Sequence, residues 1–188
     1  MDAIVDASSH ALAERIRLER RARGWSLANL AERSGVAKAA IHRIENGQAS
    51  PTAVVLIKLA TAFELTLAGL FARAETALDR VTRVKNQPVW RDPATGYVRR
   101  QVFARPDHPV EMAMVRLPAG ARVTLPAESY ALIRQALWLI EGALVIESAS
   151  GRYELAAGDS LAFGAPEETT FANETAAPAV YLIALSRT

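Results

Sequence analysis

The stretch from Ser26 to Pro51, SLANLAERSGVAKAAIHRIENGQASP, leaves this chain few ways to fold. Ser26 is placed as an N-cap, and Leu30 with Ala31 supplies the buried side of a short helix. Ser34-Gly35 ends that helix, because glycine reaches left-handed geometry at no steric cost. A second short helix, about Ala37 to Glu45, turns Ile41 and Ile44 inward at a three-residue spacing. Its opposite stripe, Lys38, Ala39, His42 and Arg43, is then forced outward. Gly47 closes this helix, and Ser50-Pro51 supplies an N-cap followed by proline at the first position of a third. Two short helices therefore meet at a tight turn, and the second presents a cationic face.

This pattern, with its flanks, resembles the DNA-binding domain of phage-repressor-type regulators, the XRE family of helix-turn-helix proteins. The matching residues are Ile16-Arg17, Gly24, Ser26, Leu30-Ala31, Ser34-Gly35-Val36, Ile41, Arg43-Ile44-Glu45-Asn46-Gly47, Pro51, Leu59-Ala60 and Leu70-Phe71. The resemblance covers residues 10–72, about a third of the chain, and implies five helices. The first runs roughly from His10 to Arg23, with Leu12 and Ile16 toward the core. The fourth runs from Thr52 to Phe63, with Leu56, Leu59, Ala60 and Phe63 on one side. Thr66 caps the fifth, which passes through Leu67, Leu70 and Phe71 and extends toward Leu78. Residues 1–9, without periodicity, are expected to be a flexible arm.

The resemblance implies a double-stranded DNA operator as partner, contacted by Lys38, Ala39, Ala40, His42 and Arg43, with Ser26 and Arg17 assisting. Lys38 and Arg43 have the reach for guanine edges, and Ala39 suits a thymine methyl. Arg15, Arg17 and Arg20 are expected to position the phosphate backbone. One position departs from the family: Leu27 stands where a glutamine often touches a phosphate. A single short recognition helix reads few base pairs, so a homodimer on a two-fold symmetric operator is expected.

Charge distribution agrees with that placement. Between Arg15 and Arg43 stand eight basic residues, against Glu19, Glu32 and, just beyond, Glu45. From Val81 onward, eleven basic residues balance eleven acidic ones. The bland alternative is that LERRARG is only the solvated face of the first helix. With 188 residues, 51% of them hydrophobic, the chain is long and apolar enough for two small domains with cores. The absence of cysteine removes disulfides and thiolate metal sites. No run of 18 apolar residues and no signal-peptide pattern is present, so a cytoplasmic location with no membrane contact is expected.

Near Val81 the helical periodicity gives way to short alternating runs broken by Gly, Pro and Asp. RDPATGY reads as a turn. YVRRQVFA, VEMAMVRLPAG, ARVTL, RQALWLIEG, ALVIES, RYEL, GDSLAFG, ETTFAN and AVYLIALS read as about nine strands of an all-β domain. Residues 73–87 are then a linker and 88–188 the second domain. This half resembles a cupin, a double-stranded β-helix barrel, through Pro118-Ala119-Gly120, Glu141-Gly142, Ala157-Gly158-Asp159, Pro166 and Asn173. Trp138 and Tyr181 lie on strands and suit either dimer contact or barrel core.

Metal-bearing cupins present two histidines, a glutamate and a third histidine. Aligned on Gly120, Gly142 and Asn173, this chain has Pro126 and Glu128, then Gln135, then Thr169 at those positions. One carboxylate with an amide and a hydroxyl does not make a transition-metal site, so neither metal nor cofactor is expected. Two readings remain for the interior. The side chains fill the barrel solidly, or they line a pocket for a small-molecule effector. Strand alternation proposes Arg122, Thr124, Glu128, Gln135, Thr169 and Phe171 as that lining.

No G-x-S-x-G, HExxH or phosphate-binding glycine loop is present, and no other catalytic constellation. The chain therefore reads as a multidomain α plus β regulator, not an enzyme: a five-helix DNA-binding domain followed by a cupin-like sensor. Two other classes stay open. A cupin metalloenzyme joined to a DNA-binding module would lose activity on chelation. An antitoxin-like repressor would be isolated with a protein partner and respond to no metabolite.

Overall fold

The first helix begins earlier than its apolar spacing suggests. In the computed structural model, which describes residues 2–71, 81–105, 108–131 and 133–187, α1 spans Asp2–Ala22. The arm expected over 1–9 is thus helical from Asp2 onward. Alanines at 3, 7, 11 and 13 have the highest helix propensity and carry the helix ahead of its amphipathic turns.

Helix α2 spans Leu27–Ser34 and is closed at both ends by its own sequence. Ser26 Oγ accepts from Asn29 N at 3.1 Å, while Asn29 Oδ1 accepts from Ser26 N at 3.0 Å. Gly35, at φ 64° and ψ 18°, returns its N–H to the Ala31 carbonyl. Helix α3 covers Lys38–Glu45 and α4 covers Ala53–Ala62. The cap of α4 is Thr52 rather than Ser50: its hydroxyl accepts from Val55 N at 3.4 Å, and Pro51 lies before the helix, buried. Helix α5 is short, Leu67–Phe71. Its expected extension toward Leu78, and the linker over 73–80, lie outside the described residues. Residues 84–86 form a 3-10 turn.

Ten strands follow among the described residues: β1 (Val89–Arg91), β2 (Val98–Phe103), β3 (Val110–Leu117), β4 (Arg122–Leu125), β5 (Ile133–Glu141), β6 (Ala143–Ser148), β7 (Gly151–Ala156), β8 (Ser160–Ala162), β9 (Thr169–Ala172) and β10 (Ala179–Arg187). β1 is the one that patterning misses, three residues being too few to show a period. All pairings are antiparallel. One sheet has the order β1-β2-β3-β10-β5-β8 and the other β4-β9-β6-β7. Phe171 of the second sheet stacks on Tyr181 of the first, with centroids 5.9 Å apart, so the two inner faces meet. This is the cupin arrangement.

Two turn residues fix how the sheets connect. Gly142 sits at φ 82°, and a β-carbon there would lie 2.7 Å from the Pro178 carbonyl oxygen. No other residue fits so close an approach. Asn173, fully buried, donates to the carbonyls of Leu117, Pro118 and Ala177 at 3.2, 3.0 and 2.7 Å, tying β9 to the turn after β3.

The helical and β domains share one apolar core, which runs from Leu12 and Ile16 through Phe63 and Phe71 to Trp90 and Tyr181. Trp90 packs on Phe71 of α5 and edge-on against Tyr97. Two carboxylates of the β domain satisfy helix ends. Asp92 Oδ2 accepts from Ala53 N at 3.1 Å in the first turn of α4, where the helix dipole favours negative charge. Glu111 accepts from the Thr66 hydroxyl at 2.8 Å, while that hydroxyl accepts from Gly69 N at 2.9 Å in α5. Both acids are buried. The helical domain is therefore seated on the sheets by apolar packing and by hydrogen bonds that cross the boundary. Among the described residues, no helix is long and apolar enough to cross a membrane.

Candidate nucleic-acid interface and ligand cavity

Packing of Ile41 and Ile44 against the core rotates the rest of α3 outward. Lys38, Ala39, His42 and Arg43 are all exposed. Ala40 is not part of that stripe: it is partly buried and packs against the core beside Ile41. Asn46 Nδ2 lies 3.1 Å from His42 Nε2, which holds the imidazole one turn above the helix end. Ser26 is exposed but its hydroxyl is engaged with Asn29 as the cap of α2. Leu27 packs partly against the core.

Several cations of α1 are neutralised within the fold. Arg20 makes a two-pronged ion pair with Glu45, 2.7 Å on each prong, and donates to the Trp25 carbonyl at 2.8 Å. Side-chain exposures of 12% and 5% make this a buried strut between α1 and α3. The paired carboxylate raises the pKa of Arg20 further, mainly through these hydrogen bonds. Arg20 is therefore a support for α3 and not a backbone contact. Arg15 pairs with Glu19 at 2.6 Å, Arg17 with Glu14, and Arg23 with Glu19 and the Phe63 carbonyl. Arg33 lies over the Trp25 ring at 4.6 Å. Lys38, Arg43 and Arg21 are exposed and make no ion pair among the described residues, as is also true of Arg33 and Lys58.

A second site lies where the helices meet the sheets. A cavity of about 80 Å³ is bounded by Ile57, Thr61, Leu65 and Leu67 of the helical domain. From the β domain it is walled by Arg99, Leu125, Tyr130, Gln135, Phe171 and Ile183, among others. Of the six residues that alternation proposed, Glu128, Gln135 and Phe171 line it. Thr169 faces inward and is buried, beside Tyr130, but is not part of the lining.

Arg122 and Thr124 are corrections: both are exposed on the outer face of β4. Arg122 donates to Glu147 at 2.5 Å, and Thr124 Oγ1 lies 2.8 Å from Thr170 Oγ1. Val123 and Leu125 point inward instead. Parity fails here because Pro126 ends β4, and a 3-10 turn over Ala127–Tyr130 carries Glu128. A period of two cannot be counted through such a turn. Glu128 and Arg122 therefore do not face each other.

Sequence reasoning missed the helical wall altogether, together with Tyr130 and Arg99. Arg99 is 7% exposed. Its parity with buried Tyr97 and Gln101 along β2 was the available signal. Burial of Tyr130 pushes its pKa above the ordinary phenol value, so it stays a hydroxyl donor.

The residues at the cupin metal positions do not fit a metal. Glu128 is the sole anion of the four, Gln135 and Thr169 are neutral, and Pro126 has no donor. Among the described residues, no three His, Cys, Asp or Glu side chains gather as a ligand group. Tyr181 faces the core and is buried, whereas Trp138 is 50% exposed on the outer face of the six-stranded sheet.

Residues 16–70 match the family model described as helix-turn-helix, HTH_3. The HTH-type transcriptional regulator SutR of Escherichia coli K12 is 39% identical over 62 residues. That match spans 33% of this chain and 35% of the relative, so the likeness is confined to the helical domain. A crystal structure of an HTH_3 family transcriptional regulator from Vibrio cholerae matches along the whole chain. It covers 97% of this chain and 98% of that one at a TM-score of 0.78 and 22% identity. Residues 16–70 thus form a helix-turn-helix domain of the HTH_3 type, and the domain that follows has the cupin fold.

Proposed function

We propose that this protein is a cytoplasmic transcriptional regulator that binds an operator in double-stranded DNA and responds to a small-molecule effector without a metal. The observation that carries the reading is the exposed stripe Lys38, Ala39, His42 and Arg43 on α3, held out by the buried Arg20–Glu45 strut. Guanidinium and ammonium groups at these positions reach base edges, and Ala39 leaves room for a thymine methyl. Arg21 supplies a backbone contact at the flank. The cavity beneath α4 and α5 supports the effector half, since it has apolar walls and a few convergent polar groups.

Two copies are needed to read a two-fold operator, with half-sites about one helical turn apart. The outer face of the six-stranded sheet suits that pairing. Met114, Leu182 and Trp138 form one cross-strand row there, and Met112, Ala184 and Ala136 the next. The test is selection of genomic fragments by the purified protein, followed by titration of the enriched duplex and a scrambled one. Preference for the enriched duplex, as a dimer by sedimentation, is expected. Equal affinity for both duplexes would refute sequence-specific regulation, and a monomer that Trp138→Glu does not alter would remove the dimer contact from this sheet.

A further inference from the structure

The cavity between the domains gathers hydrogen-bond donors that have nothing to donate to. Arg99 makes no hydrogen bond or ion pair among the described residues, and its Nε is buried without a partner. Gln135 Nε2, the Tyr130 hydroxyl and the Ser129 hydroxyl are buried and unpartnered in the same lining. Tyr130 lies beside Thr169 and Gln135 but makes no hydrogen bond of normal geometry to either. Orphaned buried groups are few in native proteins, and four around one space require an explanation. Burying a guanidinium without a partner is strongly unfavourable.

We infer that this cavity binds a small organic monocarboxylate, with Arg99 forming a forked pair to the carboxylate and Gln135 and Tyr130 donating to the same end. This rests on the effector reading above and names its chemistry. The planar fork of arginine matches a carboxylate. The opposite end of the ligand meets Ile57, Leu65, Phe171 and Ile183, so it is apolar. Glu128, exposed in the lining, disfavours a second negative charge on the ligand. At roughly 10–15 Å³ per water-sized group, the cavity of about 80 Å³ admits a molecule of about five to eight non-hydrogen atoms. Because α4 and α5 form one wall, the ligand touches both domains and its binding strengthens their contact.

The test uses the full chain and straight- and branched-chain acids from propionate to hexanoate. Each acid is compared with its amide and with the dicarboxylate of equal length. Binding is read by calorimetry and thermal shift, and its position by amide exchange. Acids of four to six carbons should bind at least tenfold more tightly than their amides or the dicarboxylates. They should also slow exchange in residues 53–71 as well as in the strands. Arg99→Met should fold, with a melting temperature equal to or above that of the parent without ligand, and should lose at least tenfold in affinity. Should that variant not fold, Arg99→Lys keeps the charge, loses the fork, and should weaken binding about tenfold.

Binding of amides as tightly as acids, full affinity in a folded Arg99 variant, exchange protection confined to the strands, or no binding by any acid would each overturn the inference. DNA binding is scored separately. Acid binding without duplex recognition would sink the regulator reading and leave this site standing, whereas duplex recognition without acid binding would do the reverse.

Discussion

The helical domain has two faces built on opposite principles. On α3, Lys38, Ala39, His42 and Arg43 stand in solvent, and Lys38 and Arg43 make no ion pair among the described residues. On α4 and α5, the exposed-surface problem is already solved by the β domain: Asp92 meets Ala53 N, Glu111 meets Thr66, and Phe71 packs on Trp90. The first face is open to solvent, while the second is covered by the β domain except at one cavity. A single buried ion pair, Arg20–Glu45, ties α1 to the recognition helix behind the open face.

The largest effect should come from breaking that strut. Glu45→Ala leaves Arg20 without its carboxylate in a largely buried position and should cost about 3 kcal/mol of stability. Thermal or denaturant unfolding measures it, and operator affinity should fall with it because α3 loses its backing. A variant as stable as the parent would show that the pair is ornamental and that the two faces are independent.

Arg43→Ala should separate recognition from stability. It should weaken the operator by about 1–3 kcal/mol and relax preference at one base step, while the melting temperature stays unchanged because Arg43 is exposed and unpaired. Titrating operator and scrambled duplex side by side decides the role. An equal loss on both would make Arg43 a phosphate contact.

The closed face should respond in the converse way. Thr66→Val removes the hydroxyl that both accepts from Gly69 N and donates to buried Glu111. A loss of about 1–2 kcal/mol is expected, read by chemical unfolding, with operator affinity per folded molecule unaltered. If the operator weakens while stability holds, the inter-domain seat is itself part of the DNA-binding geometry.

The smallest effect belongs to Arg122. It is half exposed and shares Glu147 and Glu174 with Arg152 on the outer sheet face. Arg122→Ala should change stability by less than about 1 kcal/mol and leave carboxylate binding untouched in calorimetry. Loss of ligand binding in this variant would return Arg122 to the cavity and undo the outward assignment of β4.

The helices were legible because their evidence is local. Ser26 with Asn29, Gly35 and the pair Ile41–Ile44 each act within a turn or two, so the outward stripe of α3 follows from spacing. The miss at Ala40 is the margin of that stripe, where a few tens of degrees of helix rotation decide burial. The strands were legible as strands, and their facing was legible for Gln135, Thr169 and Phe171 but not on β4. Arg122 and Thr124 were turned inward by counting parity from Glu128, and the 3-10 turn between them broke the count. Arg99 carried only its parity with Tyr97 and Gln101, and a charged residue inward on β2 gains meaning once a cavity stands opposite it.

What the sequence determined by itself is therefore the recognition helix, the caps of the helix before it and the change from helical to strand patterning, all properties carried by neighbouring residues or by residue identity. The tertiary structure alone decided that the first domain lies on the second, that Asp92 and Glu111 complete helix ends far along the chain, and that a donor-lined cavity sits at the junction. Those contacts join residues 39 and 45 positions apart. No periodicity spans such a distance, because the partner is selected by packing of the whole core and not by any local preference of the chain.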